Sequence, residues 1–160
     1  MNRGVIIAVA LVALGVVVAV VLLAGGDDGT SEPATAERQE QPEVEIPEGA
    51  PPEDLVIEDI EEGDGATAEK GDQVTVDYVG VDFETGKEFD ASFGNPDPFE
   101  FALGGGMVIP GWDEGVEGMK VGGRRELVIP PDLAYGKAGQ PPAIKPNATL
   151  VFVIDLLEVR

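Results

Sequence analysis

The stretch from Thr149 to Val159 is apolar almost throughout, broken only by Asp155 and Glu158. A strand with one face in water alternates apolar and polar residues, whereas a strand covered on both faces reads as a nearly continuous apolar run. This segment therefore reads as a central strand, and the fold has to be built around it.

Other segments keep the period of two that a half-covered sheet requires. Val74, Val76 and Tyr78 face one way, and Thr75, Asp77 and Val79 the other. Phe99, Phe101 and Leu103 repeat the pattern, as do Leu127 and Ile129. Glu84-Thr85-Gly86-Lys87 reads as a hairpin turn between Val79-Gly80-Val81 and Lys87-Glu88-Phe89. One short helix fits the remainder. Trp112, Val116 and Met119 fall at i, i+4 and i+7, with Asp113, Glu114 and Glu117 opposite. The acidic residues of its first turn suit the positive end of the helix dipole, and Gly122-Gly123 marks its stop. The sum is an α+β fold, an antiparallel sheet of about five strands curled over one short helix.

Four parts divide the chain: a four-residue N-terminus (1–4), an apolar run (5–24), a polar and acidic stretch (25–54) and a globular part (55–160). At about 1.5 Å per residue the run from Val5 to Ala24 reaches about 30 Å, the depth of a bilayer's hydrocarbon core. It is longer than the about 7–15 apolar residues of a signal peptide, which favours a retained transmembrane helix over a secreted, cleaved form. Arg3 precedes the run, and Asp27 and Asp28 follow it. Basic residues stay on the cytoplasmic side, so the expected arrangement is a single-pass cell-membrane protein with a cytoplasmic N-terminus and an extracytoplasmic domain. Residues 25–54 carry Pro33, Pro42, Pro47, Pro51 and Pro52 among acidic and small polar residues. That composition predicts a disordered linker.

Composition removes several chemistries. With no Cys and no His, thiol catalysis, zinc-finger spacings and the commonest general base are absent. Serine occurs twice, as Ser31 and Ser92, with no Gly-x-Ser-x-Gly elbow. Net charge is −21, and no basic face suggests a nucleic-acid partner. Asp27-Asp28 and Glu61-Glu62 lack calcium-loop spacing and read as solvated surface. Gly104-Gly105-Gly106 is followed by no Lys-Ser/Thr pair and reads as a sheet connection rather than a phosphate loop. No metal and no cofactor is expected.

What remains is aromatic. Trp112 stands at a helix start directly after Val108-Ile109-Pro110-Gly111, and taken alone such a residue is more often core than site. Each of the two tyrosines lies in a motif: Tyr78 on an alternating strand, Tyr135 opening a Gly-rich loop. A phenol in an apolar hollow can donate a directional hydrogen bond. Asp90, after Phe89, is the carboxylate immediately flanked by these aromatics, although by itself such a residue is more often a turn or strand-end residue.

At these residues the chain resembles the FK506-binding-protein (FKBP) family of peptidyl-prolyl cis-trans isomerases. The similarity runs through Val76-Asp77-Tyr78-Val79-Gly80, Lys87-Glu88-Phe89-Asp90 and Val108-Ile109-Pro110-Gly111-Trp112-Asp113-Glu114-Gly115. It continues in Leu133-Ala134-Tyr135-Gly136 and Asn147-Ala148-Thr149-Leu150-Val151-Phe152, and so covers nearly all of 55–160. The resemblance implies the sheet half-wrapped around the short helix, and Tyr78, Phe89, Asp90 and Tyr135 as catalytic residues. Phe99, Val108, Ile109, Trp112, Ile144 and Phe152 would bind substrate, with Phe101 as support. It further implies proline-containing polypeptide segments, and macrolides of the FK506/rapamycin type, as partners; the expected protein is a monomer, held by the membrane anchor read from the apolar run 5–24. Gln140 stands where many relatives have His, which bears on loop shape. Asn95 stands where some members carry an Arg that pairs with the pocket Asp. The connection from Tyr135 to Ile144 has no room for the chaperone insert of some bacterial relatives.

Rotation about a prolyl bond suits such a residue set, because it needs a barrier lowered and no nucleophile. The implied function is isomerisation of X-Pro bonds in extracytoplasmic clients, assisting their folding. The alternative is a groove that holds proline segments without turnover, as a binding module or holdase.

Overall fold

The computed structural model describes residues 35–160. A single antiparallel sheet is formed by β1 (Val56–Glu61), β2 (Gln73–Asp82), β3 (Glu88–Ala91), β4 (Phe99–Ala102), β5 (Arg124–Ile129) and β6 (Leu150–Val159). The order is β1-β5-β6-β2-β3, with β4 also paired to β2. The sheet has six strands rather than about five because one long strand carries two short ones. β3 pairs with Val79–Val81 and β4 with Gln73–Val76, on successive halves of the same β2 edge. The acidic edge strand β1 is exposed along its whole length, so its pattern carries no alternation to read.

The central position expected of the last strand is observed. β6 lies between β2 and β5 and is buried from Leu150 to Leu157. On the concave face Val74, Val76, Phe101, Leu127, Ile129, Leu150, Phe152, Ile154 and Leu156 pack with Trp112 and Val116 of α1 (Pro110–Val116). The helix can lie this close because its sheet side is glycine. A Cβ on Gly111 would come within 2.5 Å of the Ile129 side chain, and one on Gly115 within 2.5 Å of Leu127. The helix stops earlier than expected, at Val116 rather than before Gly122-Gly123. Gly118 adopts a φ of +84°, and its N–H bonds to the Ala68 carbonyl. Ala68 N–H in turn bonds to the Met119 carbonyl, so contacts with the 66–68 segment win over another helical turn. Met119 is buried nonetheless.

On the convex face the structure departs from the expected disordered linker (25–54) over 36–46, while residues 25–34 lie outside the described residues. Residues 36–46 have no regular secondary structure but lie on the sheet as a strap. Ala36 N–H bonds to the Leu157 carbonyl, and the Arg124 guanidinium donates to the Glu40 carbonyl. Val44 and Ile46 cover Val81, Phe83, Val128 and Val151. Composition pointed the other way because the strap has few apolar residues of its own and borrows its apolar partners from the sheet. The expected membrane span, residues 5–24, lies outside the described residues. Among those described, no helix is long and apolar enough to cross a membrane.

Candidate active site

Between the concave face and the N-terminal end of α1 lies a cavity of about 250 Å³ lined by Tyr78, Phe89, Asp90, Phe99, Met107, Val108, Ile109, Trp112, Tyr135 and Phe152. The period-two strands explain this grouping. Tyr78, Phe89 and Phe99 come from β2, β3 and β4, and Phe152 from β6, all on the face that looks toward α1. Trp112 sits in the first turn of the helix, and its ring is the hub. Its centroid is 4.9 Å from Tyr78, 5.3 Å from Phe152 and 6.0 Å from Phe99, each edge to face. Phe89 meets Phe152 edge to face at 5.5 Å. Such contacts hold the rings at fixed angles, so the walls are set before any guest arrives.

The polar groups at the rim are sparse and differ in their engagement. The Tyr78 hydroxyl donates to Asp90 Oδ2 at 2.8 Å. No cation pairs with Asp90 among the described residues, consistent with Asn95 in place of an Arg. At the rim the Tyr135 hydroxyl and the backbone N–H of Ile109 have no partner among the described residues, and the buried Nε1–H of Trp112 has none either. Burial raises the pKa of both phenols above the ordinary value. The hydrogen bond to Asp90 adds to the shift of Tyr78, and the negative charge of Asp90 to that of Tyr135. Both remain protonated donors at neutral pH.

The chain belongs to the FKBP-type peptidyl-prolyl cis-trans isomerase family. That family matches residues 65–157. An FK506-binding protein of Streptomyces anulatus is 59% identical over 121 residues, covering 75% of this chain and 98% of the relative. A probable FK506-binding protein of Corynebacterium glutamicum is 54% identical over 118 residues, covering 74% and 98%. The crystal structure of FkpA from Escherichia coli superposes with a TM-score of 0.60 at 49% identity, over 66% of this chain and 48% of that one.

Against this FKBP frame the cavity holds Tyr78, Phe89, Asp90, Phe99, Val108, Ile109, Trp112, Tyr135 and Phe152 of the expected set. Ile144 is different. It is buried in the main core and lies outside the lining, its backbone paired with Gln140 across the loop after Tyr135. The sequence reading missed Met107, which is 69% exposed at the rim. Its one signal was position: a flexible thioether between the glycine connection and Val108 can adapt to apolar guests. Phe101 stacks on Phe99 and is fully buried, the supporting role expected of it.

Proposed function

We propose that this FKBP isomerase acts through the aromatic cavity on X-Pro bonds of client proteins outside the cytoplasm, and so assists their folding. Rotation about a peptide bond costs about 18–20 kcal/mol because resonance gives the C–N bond double-bond character. The cis and trans ends of a prolyl bond differ by only about 0.5–1 kcal/mol, so a catalyst need only lower the barrier. The twisted amide loses resonance and its charge separation, and an apolar hollow holds that state better than the planar one. About 5 kcal/mol of preference would give between three and four decades in rate.

The observation that carries this reading is the pairing of a preset aromatic cup with two unengaged donors at its rim, the Tyr135 hydroxyl and the Ile109 N–H. Phe89, Trp112 and Phe152 hold the proline ring. Ile109 N–H and the Tyr135 hydroxyl take the carbonyls on either side of it. Asp90 fixes the Tyr78 hydroxyl and places negative charge at the rim. The extracytoplasmic placement rests on the apolar run 5–24 and the basic residue before it.

The test is an isomerisation assay of the full chain on a proline peptide, with Tyr135→Phe and Trp112→Ala beside it. Acceleration that falls in both variants supports the reading. Tight peptide binding without acceleration would instead establish a holdase using the same groove. Protease accessibility of the domain in intact cells tests the location, and protection from added protease would overturn it.

A further inference from the structure

We propose that Arg38, in the strap ahead of the matched family region, is a positioning residue for the isomerase site. Its guanidinium has five N–H groups in a rigid fork, and each finds an acceptor. Nε donates to Asp77 Oδ2 at 2.6 Å, and Nη2 to Asp77 Oδ1 at 2.8 Å and to the Ser92 carbonyl at 3.4 Å. Nη1 donates to the carbonyls of Asn95 and Pro96 at 3.1 and 3.0 Å. One side chain outside the family region thus closes on a strand and on the turn that follows β3.

What Arg38 holds leads directly to the cavity. Asp77 is fully buried and also accepts from Ser92 Oγ at 2.7 Å. Ser92 Oγ in turn accepts from the Tyr78 N–H at 2.9 Å, while Ser92 N–H bonds to the Tyr78 carbonyl. Tyr78 carries the hydroxyl that fixes Asp90. The turn through Asn95 and Pro96 joins β3, which bears Phe89 and Asp90, to β4, which begins at Phe99. Four lining residues therefore hang on strands whose shared ends Arg38 ties together. Asp77 cannot be buried as a lone anion, so the fork is required there, and a Lys would offer a point charge without the planar reach.

The inference rests on the cavity being the isomerase site, and the test separates the two. FK506 affinity is read from the emission of Trp112, the single tryptophan, in the full chain, together with peptide KM and thermal midpoint. An apparent affinity falls only by the fraction of protein that is folded, so in variants at least about nine-tenths folded at the assay temperature a merely structural role would leave it within about 1.1-fold of wild type. Expected for Arg38→Ala is a loss of about tenfold in FK506 affinity and in kcat/KM, the scale of a small misplacement of binding groups. Arg38→Lys should recover part of the stability but little of the affinity. Ile46→Ser, which loosens the strap at its other end, should lower the thermal midpoint and leave affinity at the wild-type value. Should Arg38→Ala fail to fold, Arg38→Lys against Ile46→Ser carries the same comparison. Wild-type affinity in folded Arg38 variants overturns the proposal, as does an equal loss in Ile46→Ser. An inactive wild type would overturn the site reading instead.

Discussion

Asp77 and Asp155 stand opposite one another on β2 and β6, both almost wholly buried on the convex face of the sheet. Two carboxylates so placed repel unless each has a cation, and each has its own arginine. Arg38 grips Asp77, and Arg124 grips Asp155 through Nε at 2.6 Å and Nη2 at 2.7 Å. Arg124 comes from β5, where it is the register partner of Asp155. The row of charges runs across the sheet beneath the strap.

Removing one member of a buried pair leaves an uncompensated charge, whereas replacing both by apolar groups is often near neutral. Arg124→Met should therefore cost about 3 kcal/mol in chemical denaturation. Arg124→Met with Asp155→Leu should recover most of that loss. A double variant no more stable than the single one would show that the pair is not what stabilises this row.

Gly80 marks where the sheet backbone meets the cavity wall. A Cβ there would lie 2.6 Å from Phe152 Cε1 and 2.7 Å from Phe89 Cζ. Gly80→Ala must displace both rings, at about 1–3 kcal/mol for overpacking. Ligand affinity should fall more than tenfold if the shifted rings are walls. Calorimetric titration with a macrolide that returned the wild-type constant would place the rings outside the binding surface.

Burial and Asp90 hold the phenols of Tyr78 and Tyr135 above their ordinary pKa, and the chain has no histidine. Neither phenol should lose its proton near neutral pH. The expected kcat/KM is level from about pH 7 to about pH 9, with any decline at more alkaline pH. A loss of activity with a midpoint near pH 8 would point to a titrating group this site does not contain.

Glu126 lies opposite Glu58 in the β1–β5 register. Burial first, then Glu58 and Glu45, raise its pKa above the usual carboxylate value. The folded state thus binds this proton more tightly than the unfolded chain does. The group's contribution to stability is full below the unfolded pKa and is lost as pH rises through the folded one. Glu126→Gln should consequently stabilise at pH 7 by about 0.5 kcal/mol, the scale of one like-charge pair across a ladder. Its advantage should vanish toward pH 4. Thermal midpoints of the two proteins at both pH values decide it, and an advantage that grew on acidification would have the wrong sign.

Much of the site was legible in the residues. Tyr78 and Phe99 fall on period-two strands whose core face is set by Val74, Val76 and Phe101, so their direction follows from spacing alone. Trp112 is placed by its interval to Val116. Ile144 was not legible in this way, because it lies in a loop where no period links sequence to direction. Met107 sits in a loop as well. Phe89 and Asp90, on a four-residue strand, came from the motif around them rather than from any repeat.

The strap shows where such reading stops. Alternation, apolar runs and glycine spacing are local, and they determined the strands, the helix face and the central place of β6. That β6 needed a cover on both faces could also be read, but not what would supply the second one. Residues 36–46 look solvated because their few apolar side chains are counted against their own neighbours. Only folding brings Val44 and Ile46 to the sheet and Arg38 to Asp77, 39 positions away. The stabilisation of a buried charge depends on what lies across space from it, and that distance is set by tertiary structure.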